Sequence, residues 1–538
     1  MKLILQNVIV ELGYNELGNA KFSDIVRAGA EKLEELIDND IVTLSDEGNT
    51  TYVIIDDLYQ LPSRQPTYQD YPKVIKDNKL FSDLGERTKV EPIVKPTYLF
   101  EQSKQPKSVE LVLNKLGAIP FRIMSYALDF ERTNKTGCYD ENFLIESEAM
   151  RQSVSENINR VLYLGWQYDK RGRIYSDGKL LNFQSDEWNK ASFQPIVKAE
   201  KVSDEGIRQL KLYLTAQYGL DKLTYDKRLE YINNNLLDGI KPKKPILAKV
   251  AEDMLNSLDY SGANPTLDMT VGIDATASGY QIFAILANCE DTAKLTNLTD
   301  SSQCYDIYGE ACKRILELTG SEKSVRDIRD IVKKALMTRG YNSDKQVEVA
   351  KKELKRLKID ISLNELKDIL DLSPKVKKCK EAINNLLLDT FSNLPDNEQI
   401  IRWRMPDGFI VELANIQKKM FKYKGKHFST WIKYDALGWN KELNWRALSP
   451  SLIHSIDAYI CREVIRRCNF QIVTIHDCFY CHPNNVLEMR KQYIKLLKEI
   501  QSMNMLEYIC KQINPSFKWK INEKLFEISD DENSYCLC

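Results

Sequence analysis

Two short apolar runs, far apart in the chain, each end in an aspartate at a turn: TVGI before Asp274 and IVTIH before Asp477. Short runs rich in Val, Ile and Thr favour extended chain. An acid at the end of such a strand is held where the sheet stops. If the two strands pair, one sheet carries two carboxylates side by side, a hard oxygen donor set that suits Mg²⁺. Two such ions about 3.5–4 Å apart stabilise both the attacking and the leaving oxygen in phosphoryl transfer. An aspartate at a strand end is also an ordinary turn former, so the pair specifies chemistry only with the rest of the chain around it.

The chain has 538 residues, room for two to four packed units at about 150 residues each. With 43% hydrophobic and 28% charged residues it is globular rather than fibrous or disordered. Lys plus Arg number 76 against 77 acids, a net charge of −1, so any contact with nucleic acid must be local. The opening MKLILQNVIVEL lacks the continuous apolar core of a signal peptide, and Glu11 and Glu16 argue against a transit peptide. No run approaches the roughly 18 apolar residues of a membrane span. Twelve cysteines scattered from Cys138 to Cys538 suit free thiols in a reducing compartment. The expected location is cytoplasmic.

Residues 1–95 read as a separate unit, with a helical stretch at 23–39, an apolar run at 51–59 and Pro-punctuated chain from Pro62 to Pro96. The apolar spacing over 106–164 predicts two long helices, the first bent or ended by Pro120. Strand, acid and amphipathic helix follow from 269, residues 305–395 are mostly helical, and FQIVTI with HDCFY reads as a hairpin with an acid at its turn. The basic stretch 345–358 has acids interleaved and reads as a solvated helix face.

In SVRDIRDIVKKALMTRGY, Arg329, Lys333, Met337 and Tyr341 recur every four residues. Each step drifts by only about 40° around a helix, so they share one broad face. Two cations followed by an aromatic suit a triphosphate at one end and a base or sugar at the other. The same pattern also describes a solvated basic face with Tyr341 at the core edge. HDCFYCH (476–482) offers zinc-type ligands, yet no second pair stands at similar spacing. Cys461 and Cys468 lie on a predicted helix, and strand alternation sends Cys478 and Cys481 to opposite faces. Cys536 and Cys538 read as a frayed tail, His427 and His482 as surface or loop histidines. Cations and aromatics mix over 414–446, where KKMFKYKGKHF precedes Trp439 and Trp445, and Lys422, Lys424 and Lys426 are candidates for nucleic-acid contact.

Taken together, GIDATASGYQIFA (272–284), the Arg-Lys-Met-Tyr helix, and LSPSLIHSIDAYI (448–460) leading to IVTIHDCF (472–479) resemble, in order, the three polymerase motifs of the single-subunit DNA-directed RNA polymerases of phages and mitochondria. YDKRGRIYS (168–176), LKLYLTAQYGLDKLTYDKRLEYI (210–232) and RMPDGFIVEL (404–413) resemble further elements of that family, and the likeness covers roughly residues 100–538. It implies an α+β, mainly helical right hand with an antiparallel palm sheet. The parts would be a reduced N-terminal region at 1–95, thumb-like helices at 96–165, a first part of the palm at 166–300, and fingers at 301–400. The rest, 401–538, would hold the second part of the palm, a specificity-loop-like segment, the second catalytic aspartate and the C-terminal tail.

The resemblance implies DNA-templated RNA synthesis from ribonucleoside triphosphates with two Mg²⁺ ions on Asp274 and Asp477. Arg329 and Lys333 then resemble triphosphate ligands, Lys333 also assisting pyrophosphate departure, and Tyr341 the aromatic residue beside the incoming nucleotide. His454 resembles the histidine that reaches the ribose 2′-hydroxyl, His476 the first member of the family's His-Asp pair. Arg171, Arg173 and Tyr175 fall in the element that contacts template and hybrid. Related DNA polymerases place a Glu where Gly279 stands, and a glycine leaves room for a 2′-hydroxyl. Asn342 replaces the usual Gly after the motif Tyr, and SYCLC replaces an aromatic-rich carboxyl end. Ninety-five residues are too few for the promoter-opening domain of phage members, which implies an accessory protein; a phage-infected bacterial cell is the expected setting. The alternatives are a DNA polymerase or primer-synthesising enzyme, and a catalytically silent nucleic-acid-binding subunit of a transcription complex.

Overall fold

The computed structural model describes residues 2–5, 8–9, 12–13, 16, 22–47, 50–55, 102–134, 151–177, 182–260, 266–300, 302–339, 345–438, 448–521, 523–531 and 533–538. The described chain is α+β and mainly helical, and every strand pairing in it is antiparallel. One contiguous apolar core runs from Val109 to Leu537.

At its centre lies a three-stranded sheet in which Cys478–Cys481 sits between Val271–Asp274 and Ile472–Ile475. Val271, Ile273 and Phe479 are fully buried, each worth about 1.5–3 kcal/mol of transfer from water. The strand needs its glycine: a Cβ on Gly272 would come within 2.5 Å of the Tyr480 ring on the neighbouring strand. The 20-residue helix Leu448–Arg467 runs through the core, with Leu452, Ile453, Ile456 and Val464 fully buried. Its carboxyl end is closed by Lys115, whose Nζ donates to the carbonyls of Ile465, Arg466 and Cys468 at 3.1, 2.9 and 3.1 Å, a cation where the helix dipole is negative.

The helices Ile307–Thr319, Val325–Arg339, Lys345–Arg356 and Leu363–Leu370 pack successively on one another. Lys345–Arg356 buries Val347, Ala350 and Leu354 and turns its charges outward, the solvated face its sequence suggests. Pro374–Ser392 starts with Ser373 capping the Lys375 amide and Pro374 in the first turn, where a missing N–H costs nothing.

The spacing over 106–164 predicted two long helices, and the structure corrects this. Lys107–Gly117 and Tyr126–Asn134 are short, and between and after them Pro120–Ile123 and Val161–Tyr163 are strands. Pro120 opens its strand, the strand position that tolerates its missing donor. Phe121 pairs with Leu162 on one side and Pro195 on the other. A four-residue strand stabilised by partners so distant leaves too short an alternation to outweigh the helical spacing around it.

Near the amino end, the helix Phe22–Asp38 and the strands Lys2–Ile4, Thr50–Ile55 and Val42–Glu47 form a small unit with its own core. That core includes Phe428, at the tip of the long hairpin Ile416–Lys424 and Ser429–Leu437. Asp38 pairs there with Lys426 at 2.6 Å and accepts from His427 Nε2 at 2.6 Å. His427 is thus engaged across elements, and Lys426 already has an anionic partner, whereas Lys422 and Lys424 are exposed. The end of the unit expected at 1–95, and Trp439 and Trp445, lie outside the described residues.

Candidate active site

Asp274 ends its strand and pairs across the sheet with Cys478, the residue after Asp477. The turn between Ile475 and Cys478 gives His476 a φ of 56°, and the Ala275 amide donates to the Asp477 carbonyl at 3.1 Å. Register and turn thus bring together two carboxylates remote in sequence. Past Ala275 the chain bends through Ala277, at φ 57°, a left-handed conformation costing about 1–2 kcal/mol for a non-glycine. The sharp bend starts the helix Ser278–Leu286 beside the acids, and Ser278 donates to the Asp477 carboxylate. Gly279 lies in the first turn of this helix, half-buried.

Both carboxyls are held above the ordinary aspartate range. Asp477 is raised by burial and then by the like charges of Asp274 and Asp457. Asp274 is raised by burial and by Cys538 beside it, against the opposing pull of Lys244, Lys222 and Lys333. Asp274 does touch solvent at the floor of a cleft, but protein crowds its remaining sides, so its hydration is poor. Among the described residues its carboxylate makes no hydrogen bond or ion pair. Two such groups gain from a divalent cation of hard, oxygen-seeking character, and the donor set fits Mg²⁺.

The cleft above them encloses about 1040 Å³. Arg329, Lys333 and Met337 line it from the helix Val325–Arg339, and Lys222 and Lys243 from the segment 218–243. Arg329 pairs with Asp306 at 2.9 Å, and its guanidinium and the Lys333 ammonium lie 5.7 and 5.5 Å from the Tyr308 ring centre. Asp306 also caps the helix Ile307–Thr319, so one carboxylate fixes both a helix start and a cleft cation. Burial, then Arg329, Lys243 and Lys222, hold the Lys333 ammonium below the ordinary lysine range. Cations that repel one another in this way favour a polyanion between them.

A second cluster adjoins the acids. In the hairpin Gly165–Tyr168 and Ile174–Asp177, Asp169 accepts the amides of Arg171 and Arg173 at 2.9 Å each and the Arg171 guanidinium at 2.7 Å. Arg171 Nη1 donates to His454 Nδ1 at 2.9 Å, Arg173 pairs with Asp457 at 2.9 Å, and Tyr175 meets His476 edge to face at 5.2 Å. Burial, followed by Arg173 and Arg171, depresses His454 well below the ordinary histidine value. Burial and Arg173 also lower His476. Both imidazoles are therefore neutral at neutral pH.

Arg462 ties this hairpin to the core. Fully buried, it donates to the Gly172 carbonyl at 2.8 Å and to Asp407 at 2.5 and 3.1 Å, and it lies 4.6 Å above the Phe409 ring centre. Gly172 is at φ 86°, and a Cβ there would come within 2.3 Å of Arg462 Nη1, so no other residue fits.

Both clusters hold residues of a segment, 200–534, matched by the family model described as DNA-dependent RNA polymerase. The chain belongs to this family. It is 24% identical over 485 residues to a probable DNA-directed RNA polymerase of Gelasinospora sp. (strain G114), covering 78% of this chain and 57% of that protein. Against the probable DNA-directed RNA polymerase of Podospora anserina the identity is 26% over 445 residues, 68% of this chain and 46% of the relative. Against DNA-directed RNA polymerase 3, chloroplastic, of Nicotiana sylvestris it is 22% over 409 residues, 66% and 41%. The chain spans about half the length of these curated relatives. Their names point to fungi and a plant organelle, and none supports the expected phage-infected bacterial host. Among the described residues no helix is long and apolar enough to cross a membrane.

Within this polymerase-family chain, the cleft collects Asp274, Asp477, Arg329 and Lys333, and the adjoining cluster collects Arg171, Arg173, Tyr175, His454 and His476. Gly279 does not line the cleft, and Tyr341 and Asn342 lie outside the described residues. Lys222, Lys243, Asp306 and Asp457 were missed in the sequence. Lys222 stands inside the family-like stretch 210–232, which was the available signal; Asp306, a cap before an apolar-periodic helix, reads locally as nothing more.

One expectation is corrected. The residues Cys536 and Cys538 are no frayed tail: Cys536 and Leu537 are buried, Ala275 and Leu537 form a β-bridge, and the Cys538 amide donates to the Asp274 carbonyl at 2.9 Å. His482 lies in the loop after the strand Cys478–Cys481, one of the two places expected for it, and is buried there, its Nδ1 accepting the Asn484 amide at 3.2 Å. Cys478 and Cys481 alternate along their strand, half-buried and buried, and among the described residues no group of three His, Cys, Asp or Glu side chains could hold a metal ion.

Proposed function

We propose that the chain carries out DNA-templated RNA synthesis from ribonucleoside triphosphates. The observation that carries this reading is the pair Asp274 and Asp477 on the floor of a cleft lined by Arg329, Lys333, Lys222 and Lys243, acids for metal beside cations for a triphosphate. Two Mg²⁺ ions, held by Asp274 and Asp477, would supply Lewis-acid activation of the 3′-hydroxyl and charge neutralisation on the phosphates when bound.

The chain's own residues do the rest. Arg329 and Lys333 bind the triphosphate, with Lys222 and Lys243 completing the cation ring, and Lys333 Nζ donates to the departing pyrophosphate. Tyr308 beneath the two cations and Asp306 beside Arg329 limit their motion, so less is lost in ordering them on binding. Neutral His454 hydrogen-bonds the ribose 2′-hydroxyl, Gly279 carries no side chain where related DNA polymerases have a Glu, and Tyr341 stands beside the incoming nucleotide. Arg171, Arg173 and Tyr175 contact template and hybrid, and His476, edge to face with Tyr175, belongs to the substrate site.

In the right-hand reading the central sheet is the palm, built from 166–300 and 401–538, and 301–400 forms the fingers. Region 96–165 is the thumb-like part, although the helices Lys107–Gly117 and Tyr126–Asn134 described in it are short, and 1–95 is an N-terminal region whose described part packs on the hairpin tip. DNA template and nascent RNA are the partners, with an accessory protein for promoter recognition or melting. Templating is the test: on four DNA templates differing in one base, the protein with Mg²⁺ should add to an RNA primer only the complementary ribonucleotide. Addition that ignores the template, or that prefers deoxynucleotides, would overturn the reading.

A further inference from the structure

Cys304 lies two residues before Asp306, the partner of Arg329. Cys538 is stitched to the other side of the cleft floor: its amide donates to the Asp274 carbonyl at 2.9 Å and its carbonyl accepts the Asp274 amide at 3.3 Å. These two segments meet over a single acceptor, for Cys304 Sγ donates to the Asp221 carbonyl at 3.7 Å and Cys538 Sγ to the same oxygen at 3.9 Å. The two side chains also pack on one small cluster of Leu212, Tyr225 and Tyr535. Most of the other described cysteines are buried, whereas these two are half-buried and Cys538 lines the cleft, where a dissolved reagent reaches it.

We propose that Cys304 and Cys538 form a reversible disulfide in response to small-molecule disulfides of the glutathione type. Cys538 loses its proton to water and attacks one sulfur of the reagent; the reagent's S–S bond breaks, a mixed disulfide forms, and the first small thiolate leaves and takes a proton from water. Cys304 then loses its proton to water and attacks the Cys538 sulfur, expelling the second small thiolate, which is protonated in turn. Two protein thiols are oxidised to one disulfide, and one small disulfide is reduced to two thiols.

The bond draws the Cys538 sulfur from the Thr276 hydroxyl, now 3.5 Å away, and links the segment paired with Asp274 to the one carrying Asp306. Oxidation therefore displaces a cleft acid and a cleft cation together and stops nucleotide addition. The disulfide itself stands on geometry alone; its effect on synthesis rests on the polymerase reading.

The full chain is equilibrated with oxidised glutathione, alkylated, digested without reductant and analysed by mass spectrometry. A peptide pair joining Cys304 to Cys538, lost on adding dithiothreitol and missing from Cys304→Ser, is expected. Only separate glutathione adducts, or both thiols alkylated, would overturn the proposal. In parallel, primer extension by the unaltered protein should fall at least fivefold under oxidant and recover with dithiothreitol, while Cys304→Ser keeps its activity; equal loss in Cys304→Ser would overturn the link between this disulfide and the site. Absence of synthesis in the fully reduced protein sinks the polymerase reading and leaves the peptide measurement to decide the disulfide.

Discussion

The Arg462–Asp407 pair is the sharpest place to perturb the support of the site. Their side chains are 1% and 6% exposed, and Arg462 has two further interactions, the Gly172 carbonyl at 2.8 Å and the Phe409 ring. Asp407→Asn keeps the size of the side chain and one oxygen acceptor but removes the charge, leaving a buried guanidinium uncompensated. Losing one partner of a buried pair costs about 3–5 kcal/mol. Because Arg462 keeps its carbonyl and ring contacts, the lower end of that range, about 3 kcal/mol, is expected. With a urea slope of at least about 3 kcal/mol per molar, the upper end for small proteins and rising with chain size, the unfolding midpoint should fall by up to about 1 M. The double variant Asp407→Leu with Arg462→Met, which leaves no buried charge, should recover most of the loss. As Gly172 lies between Arg171 and Arg173, the single variant should also bind template less tightly. A midpoint within about 0.2 M of the unaltered protein would refute the reasoning, since the guanidinium would then be compensated elsewhere.

Further outcomes are expected. With both aspartate carboxyls raised above their ordinary value of 3.8, the metal-free fold gains from them below that value and loses this gain as pH rises through the raised pKa values. Mg²⁺ stabilisation in thermal melts should therefore grow from pH 5 to pH 8, and a pH-independent increment would remove Asp274 and Asp477 as the metal site. Lys222→Met should lower kcat/KM for nucleotide about 10- to 150-fold, the loss of one charge-assisted contact of about 1.5–3 kcal/mol, with template affinity retained; an unaltered kcat/KM would take Lys222 out of the triphosphate site. Replacing Lys422, Lys424 and Lys426 together should reduce the salt slope of template binding by about 2 rather than 3, at about 0.9 per phosphate contact, because Lys426 is already paired with Asp38. An unchanged slope would show that the hairpin does not touch the template.

What could be read from the sequence was whatever is local. Asp274 and Asp477 are legible because each follows its own strand within five residues, and Arg329 with Lys333 because four residues bring side chains to one helix face. The hairpin at 472–481 was legible too, alternation and turn being next to each other. The features that escaped depend on partners distant in the chain. Phe121 is a strand residue only because Leu162 and Pro195 flank it, Asp407 and Arg462 meet only in the folded core, and Cys538 becomes a cleft residue only through the strand of Asp274. His482 is the loop residue its sequence suggests, but nothing nearby in sequence announces the burial of the turn it caps.

The most direct measurement is extension of a labelled RNA primer on a DNA template with Mg²⁺ and ribonucleotides, run beside Asp477→Ala, with template binding measured for both. Extension by the unaltered protein, none above background by Asp477→Ala, and template affinities within about twofold of each other are expected. Extension that survives in Asp477→Ala, or its absence from the unaltered protein despite tight template binding, would contradict the assignment of this cleft as a centre of RNA synthesis.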